Sequence, residues 1–172
     1  KNSRCALIGL MIFVGIFSAC EEENEVSSIN PNNWQKRMVA IPPLDSLTQG
    51  VTYLSIYSHI YSFTEHRSQD LTVTISMRNT NRADTIYINH AEYYDTKGEL
   101  IRTYFNRPVF VAPLETVEII IDETDQMGGS GANFLFDWTM EAGLHDPFFE
   151  AVMISTAGSQ GLSFVTTGRR VE

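Results

Sequence analysis

From residue 51 onward apolar and polar side chains alternate with period two, and this alternation leaves the chain few choices of fold. Leu71, Val73, Ile75 and Met77 are separated by Thr72, Thr74 and Ser76. Successive side chains of an extended strand point to opposite faces, so such a run buries one face and wets the other. Val117, Ile119 and Ile121 repeat the pattern, as do Phe134, Phe136, Trp138 and Met140, and then Leu162 and Phe164. No segment shows a comparable helical period. The spacing predicts strands near 51–58, 71–79, 85–94, 99–105, 115–122, 133–140, 148–155 and 161–167, with 109–112 as a short strand or loop edge. Short strands separated by turn residues at this spacing predict an all-β fold. The expected architecture is an immunoglobulin-like, two-sheet antiparallel sandwich over residues 50–172, with Trp138 in its core.

One turn is specified in detail. Asp95-Thr96-Lys97-Gly98 suits a three-residue hairpin loop with Gly98 in the left-handed position. The register that follows sets Tyr94 opposite Leu100, Tyr93 opposite Ile101 and Glu92 opposite Arg102. The tyrosines 53, 57, 61, 87, 93 and 94 fall on expected strands and are assigned mainly to the core, with an interaction face as the alternative.

The N-terminal third reads differently. Lys1 and Arg4 precede an apolar run from Cys5 to Phe17, and the segment ends Phe17-Ser18-Ala19-Cys20. The run is only about 13 residues, against the roughly 20 that a membrane-crossing helix needs. A positive start, a short apolar stretch and small residues before a cysteine predict a lipoprotein signal peptide over 1–19, cleaved ahead of a lipidated Cys20. More than one acyl chain on that residue would hold the protein stably to a membrane of the bacterial cell envelope. Residues 20–49, rich in Glu, Asn and Ser and interrupted by Pro31, Pro42 and Pro43, are expected to form a linker. Within it, Trp34 to Val39 is apolar enough to pack on the domain.

Charge and cysteine content narrow the function. The formal net charge is −9, made more negative by loss of Lys1 and Arg4. That disfavours nucleic acid, whose binding depends on cations that neutralise phosphates. With Cys5 removed and Cys20 acylated no thiol remains, which excludes disulfides, thiol catalysis and cysteine-ligated metals from the expected mature domain.

Four constellations are candidates for chemistry. Asp125, Gly128, Gly129, Ser130, Gly131 and Asn133 lie in an acidic and glycine-rich stretch that begins at Asp122, and they form the candidate loop site. Clustered oxygens suit calcium, but the spacing is not that of an EF-hand. Successive N–H groups could instead cradle an anion. Ser130, and Ser159 within Ala157–Gly161, resemble nucleophile elbows, yet strands rather than helices are expected after both, so glycines serving tight connections is the favoured reading. His59 and His66, with Glu65 and Asp70 nearby, could converge on zinc or copper across the loop between the first two strands, although no metal site is assigned. No catalytic residue and no cofactor is assigned.

Tyr57-Ser58-His59-Ile60-Tyr61, Tyr93-Tyr94-Asp95, Gly128 to Phe134 and Glu150 to Ile154 together resemble a bacterial envelope family catalogued as domain of unknown function 3124. The resemblance runs from Val51 to Gly168. It implies an exported, often lipid-anchored setting and brings no activity or site residues with it. The leading expectation is a non-enzymatic interaction module with an envelope protein as its possible partner. Metal-ion or anion binding and serine hydrolysis stand as alternatives.

Overall fold

The computed structural model describes residues 33–156 and 161–172. The expected signal segment, Cys20 and Ser159 lie outside the described residues. The elements are a one-turn helix α1 (Trp34–Arg37) and strands β1 (Leu47–Ile56), β2 (His59–Ser62), β3 (Thr64–Asp70), β4 (Thr72–Arg78), β5 (Ile86–Tyr94), β6 (Leu100–Phe105), β7 (Val109–Val111), β8 (Thr116–Ile121), β9 (Ala132–Glu141), β10 (Phe148–Ser155), β11 (Leu162–Thr167) and β12 (Arg169–Arg170). One sheet runs β12-β1-β9-β5-β6, with β7 also paired to β5; the other runs β11-β10-β4-β8. Strands β2 and β3 form a separate ribbon. Paired strands are antiparallel, and the two large sheets make the sandwich that the alternation predicts.

The inward faces are the expected ones. Val73, Ile75 and Met77 of β4, Val117, Ile119 and Ile121 of β8, and Phe134, Phe136, Trp138 and Met140 of β9 are all buried. A file of stacked rings crosses the core from sheet to sheet: Tyr93 to Phe134 at 5.0 Å, Phe134 to Phe136 at 5.3 Å, and Phe136 to Phe149 at 4.4 Å between centroids. Each such pair adds about 0.5–1.5 kcal/mol beyond its buried area. Trp138 is 1% exposed and donates its indole N–H to Thr52 Oγ1 at 3.0 Å. Its ring lies flat against Gly50, where any Cβ would overlap it, which explains a glycine in the middle of β1.

Several expectations need correction. The first strand starts at Leu47, and Trp34 ahead of it is 4% exposed with its ring 4.9 Å from that of Phe105. Val39 N–H donates to Pro108 O at 2.9 Å and Arg37 pairs with Glu115 at 2.7 Å. The linker drawn over 20–49 therefore overruns the folded body, because a large apolar ring and an ion pair hold its latter part in place. Residues 59–70, expected as a loop, form the ribbon β2–β3, which sends Ile60 against the core but whose side chains are otherwise half-buried or exposed without alternation. The 95–98 hairpin has the expected loop, with Gly98 at φ 81, and Tyr94 faces Leu100. Beyond that pair the register shifts, setting Tyr93 opposite Arg102 and Glu92 opposite Thr103. The bulge turns Arg102 toward a buried carboxylate instead of Glu92. The tyrosines also divide: Tyr87 and Tyr93 are core, Tyr57 and Tyr94 half-buried, Tyr53 and Tyr61 exposed.

Candidate functional site

The candidate loop begins with a self-contained turn. Asp122 Oδ1 accepts the Thr124 N–H at 2.9 Å and its hydroxyl at 2.8 Å, and these bonds hold the Asp122 carboxyl below its ordinary range. Asp125, 1% exposed, follows. Both terminal nitrogens of Arg102 donate to its Oδ2 at 3.2 Å, and the Met127 N–H donates to its Oδ1 at 3.3 Å. Burial pulls the Arg102 guanidinium downward, but its bond to the Tyr104 hydroxyl and the field of Asp125 outweigh that and raise it. Asp125 is thus the inner half of a buried ion pair.

The glycines come next, and each is used. Gly129 to Gly131 form a single 3-10 turn, with Gly129 at φ 75. Gly128 O accepts both the N–H of Thr96, at 3.1 Å, and its hydroxyl, at 3.0 Å; Gly131 N–H donates to Thr96 Oγ1 at 3.0 Å. Gly129 O accepts the Ser58 N–H at 3.0 Å. A Cβ on Gly128 would overlap the Tyr93 hydroxyl and lie 2.7 Å from Ser58 Oγ. These two oxygens are themselves bonded at 2.9 Å, and burial pushes the Tyr93 hydroxyl up to about 12. The run is a clasp that ties the β5–β6 turn to the start of the ribbon.

The sequence candidates therefore come together, but around one another. Asp125, Met127, Gly129 and Gly131 donate their N–H groups to protein acceptors, which leaves those donors no share in an anion nest. Ser130 is partly exposed and is followed by β9, not by a helix. Asn133 opens β9 level with Ser55 and Tyr94. His59 pairs with Asp70 across the ribbon, while His66 stands exposed beside Glu65 at 3.5 Å, so the expected convergence of the two histidines is not formed. Among the described residues no group of three or more His, Cys, Asp or Glu side chains is placed to hold a metal ion.

What the clasp builds is a cleft. The ribbon and the 122–126 turn enclose an open groove of about 660 Å³ between Phe63, Arg67, Gln69, Asp70, Glu123 and Gln126, with hydroxyl side chains filling the remainder. Gln126 Nε2 donates to Asp70 Oδ2 at 2.9 Å and joins its two walls. At the rim stands Phe63, the single residue linking β2 to β3, 92% exposed and at φ 65. The guanidinium of Arg67 lies 5.4 Å from its ring centroid. Tyr61, 60% exposed, is on the same ribbon. A smaller recess of about 370 Å³ opens on the outer face of the other sheet, where a bulge at Asn89 lets His90 Nδ1 meet Asp137 Oδ2 at 2.9 Å.

Fold and site define an antiparallel β-sandwich domain with a clasped ribbon and a polar cleft at one end. The chain belongs to the family described as Protein of unknown function (DUF3124), whose model matches residues 49–171. No curated protein and no solved structure shows significant similarity to it. Phe63 and Arg67 were invisible to motif reading. The signal that could have marked them is a bare aromatic inside the polar run from Ser62 to Asp70.

Proposed function

We propose that this protein is a lipid-anchored, non-enzymatic binding module of the bacterial cell envelope, held to a membrane through Cys20, with the ribbon cleft as its working surface. The observation that carries this reading is Phe63. A bulky residue at positive φ is strained, and a fully solvated ring gains nothing from folding. Glycine or asparagine would suit the turn better on both grounds. Leu114 is also apolar, 66% exposed and at positive φ (57), so strain alone does not mark a site; what sets Phe63 apart is that it lines the groove, where a contact from outside the domain would explain it.

The test is a photo-reactive residue placed at 63 in the full chain and, as a control, at exposed Leu114. Cross-linking in cells should give adducts at 63 that are absent at 114 and that disappear with Glu123→Gln. Identical adducts at both positions, or none at 63, would remove the cleft from consideration.

A further inference from the structure

We infer that the cleft binds a neutral, hydroxyl-rich saccharide chain, an inference that rests on the cleft being the working surface. Its lining has one chemical character. Arg67, Gln69, Asp70, Glu123 and Gln126 all end in planar groups with two hydrogen-bonding atoms side by side, and the other polar members are hydroxyls. Paired planar donors and acceptors match the neighbouring hydroxyls of a pyranose ring. Phe63 supplies the complementary element: Arg67 lies over one face of its ring, and the other, in a residue 92% exposed, is open to the flat C–H side of the sugar.

Other ligand classes fit less well. A phosphate or carboxylate ligand would meet two carboxylates, Asp70 and Glu123, against one guanidinium, and that guanidinium already lies over Phe63. Asp122, on the same turn and held in its charged form by Thr124, adds a third negative charge. An acyl chain needs an enclosed apolar lining, which the cleft lacks. A folded protein partner is expected to meet a cluster of apolar anchors at the centre of its interface, whereas here one ring sits at the rim of a polar groove. A groove of about 660 Å³ falls in the range of small-molecule sites, and because it opens to solvent a bound saccharide can extend beyond it.

The full chain in detergent is titrated calorimetrically with four neutral hexasaccharides: β-1,4-N-acetylglucosamine, β-1,4-glucose, α-1,4-glucose and α-1,6-mannose. At least one should bind, and Phe63→Ala and Glu123→Gln should each weaken it about tenfold or more with unchanged melting temperature, while Leu114→Ala has no effect. Since Phe63 is solvated and strained, Phe63→Gly provides a second variant that relaxes the turn and should lose binding equally. Absence of binding by all four sugars, or binding indifferent to Phe63, overturns the inference. If adducts at position 63 are then found to be protein, the cleft reading survives and only the ligand class falls. If neither sugars nor adducts are found, both fall together.

Discussion

Gly128→Ala tests whether the glycine run is a clasp or a ligand site. The added methyl would overlap the Tyr93 hydroxyl and stand 2.7 Å from Ser58 Oγ and 2.8 Å from the Ala132 Cβ. Tyr93 is fully buried and stacked on Phe134, so its ring cannot swing aside. Overpacking of this kind costs about 1–3 kcal/mol. Parting Ser58 from Tyr93 strands one or both buried oxygens and adds about 1–3 kcal/mol. A total of about 2–6 kcal/mol is a large share of the roughly 5–15 kcal/mol that holds such a domain folded. For a domain of this size the melting temperature should fall by on the order of 10 °C, measured by calorimetry. The decisive comparison adds Tyr93→Phe. That change alone removes the hydroxyl and leaves Ser58 Oγ unpaired, a cost of about 1 kcal/mol or more. In the double mutant the methyl moves into the vacated space, so the two costs should fall short of additivity by about 1 kcal/mol or more. Strict additivity, or a Gly128→Ala protein that melts like the wild type, would refute the overlap. The same hydroxyl carries a pH signature. Its folded value of about 12 lies above the 10.0 of the unfolded chain, so its contribution is complete below pH 10 and is lost as pH rises toward 12. Tyr94 is raised to about 12 as well, chiefly by its bond to Glu92, so Tyr93→Phe should flatten part of that alkaline limb and leave the rest.

Trp138→Ala removes a buried indole along with its bond to Thr52, and should cost about 3–5 kcal/mol in denaturant unfolding; a variant within 1 kcal/mol of wild type would contradict its place in the core. Arg37→Ala should loosen the N-terminal strap and reduce acid sensitivity, because the Arg37 hydrogen bond is the largest of the effects that hold Glu115 below its ordinary 4.5. That stability is present above the unfolded value and is lost as pH falls through the folded one, so a wild-type acid limb unchanged in the mutant would rule out the pairing as its source. Cys20→Ala should abolish incorporation of labelled fatty acid and release the protein from membranes; full retention would exclude lipid on Cys20 as the anchor.

The sandwich was legible because its signal is repeated. Val73 to Met77, Val117 to Ile121 and Phe134 to Met140 each alternate over several residues, and the burial of one face leaves no freedom of register. The 95–98 turn was legible because Gly98 is the residue its geometry requires. What followed it was not: Tyr93 faces Arg102 rather than Ile101 because a bulge inserts one residue, and a bulge responds to what lies across the sheet. Arg102 there meets Asp125, 23 residues away in sequence, and no local pattern links the two. Gly50 likewise makes sense only once the Trp138 ring is seen beneath it.

The site was half legible, and the division has a physical basis. The acidic and glycine-rich run stood out by composition, yet composition cannot tell backbone groups that await a ligand from ones already bonded to Thr96 and Ser58. Phe63 and Arg67 passed unnoticed because their segment follows no rule of periodicity or turn chemistry. The turn at Phe63 has neither glycine nor asparagine, and the strands beside it lack an alternating buried face, Ile60 alone packing against the core cluster. A segment that departs from local preference and also lines a groove is where function is expected to override folding. The two halves meet at one hydrogen bond, from Gln126 to Asp70, which joins the clasp to the ribbon. Structure spent on the glycine run is in this sense structure that positions the cleft: each bond closing the clasp on Thr96 and Ser58 also fixes the wall opposite Phe63. Weakening the clasp should therefore loosen the cleft before it unfolds the sandwich, whose own core rests on the stacked rings from Tyr93 to Phe149.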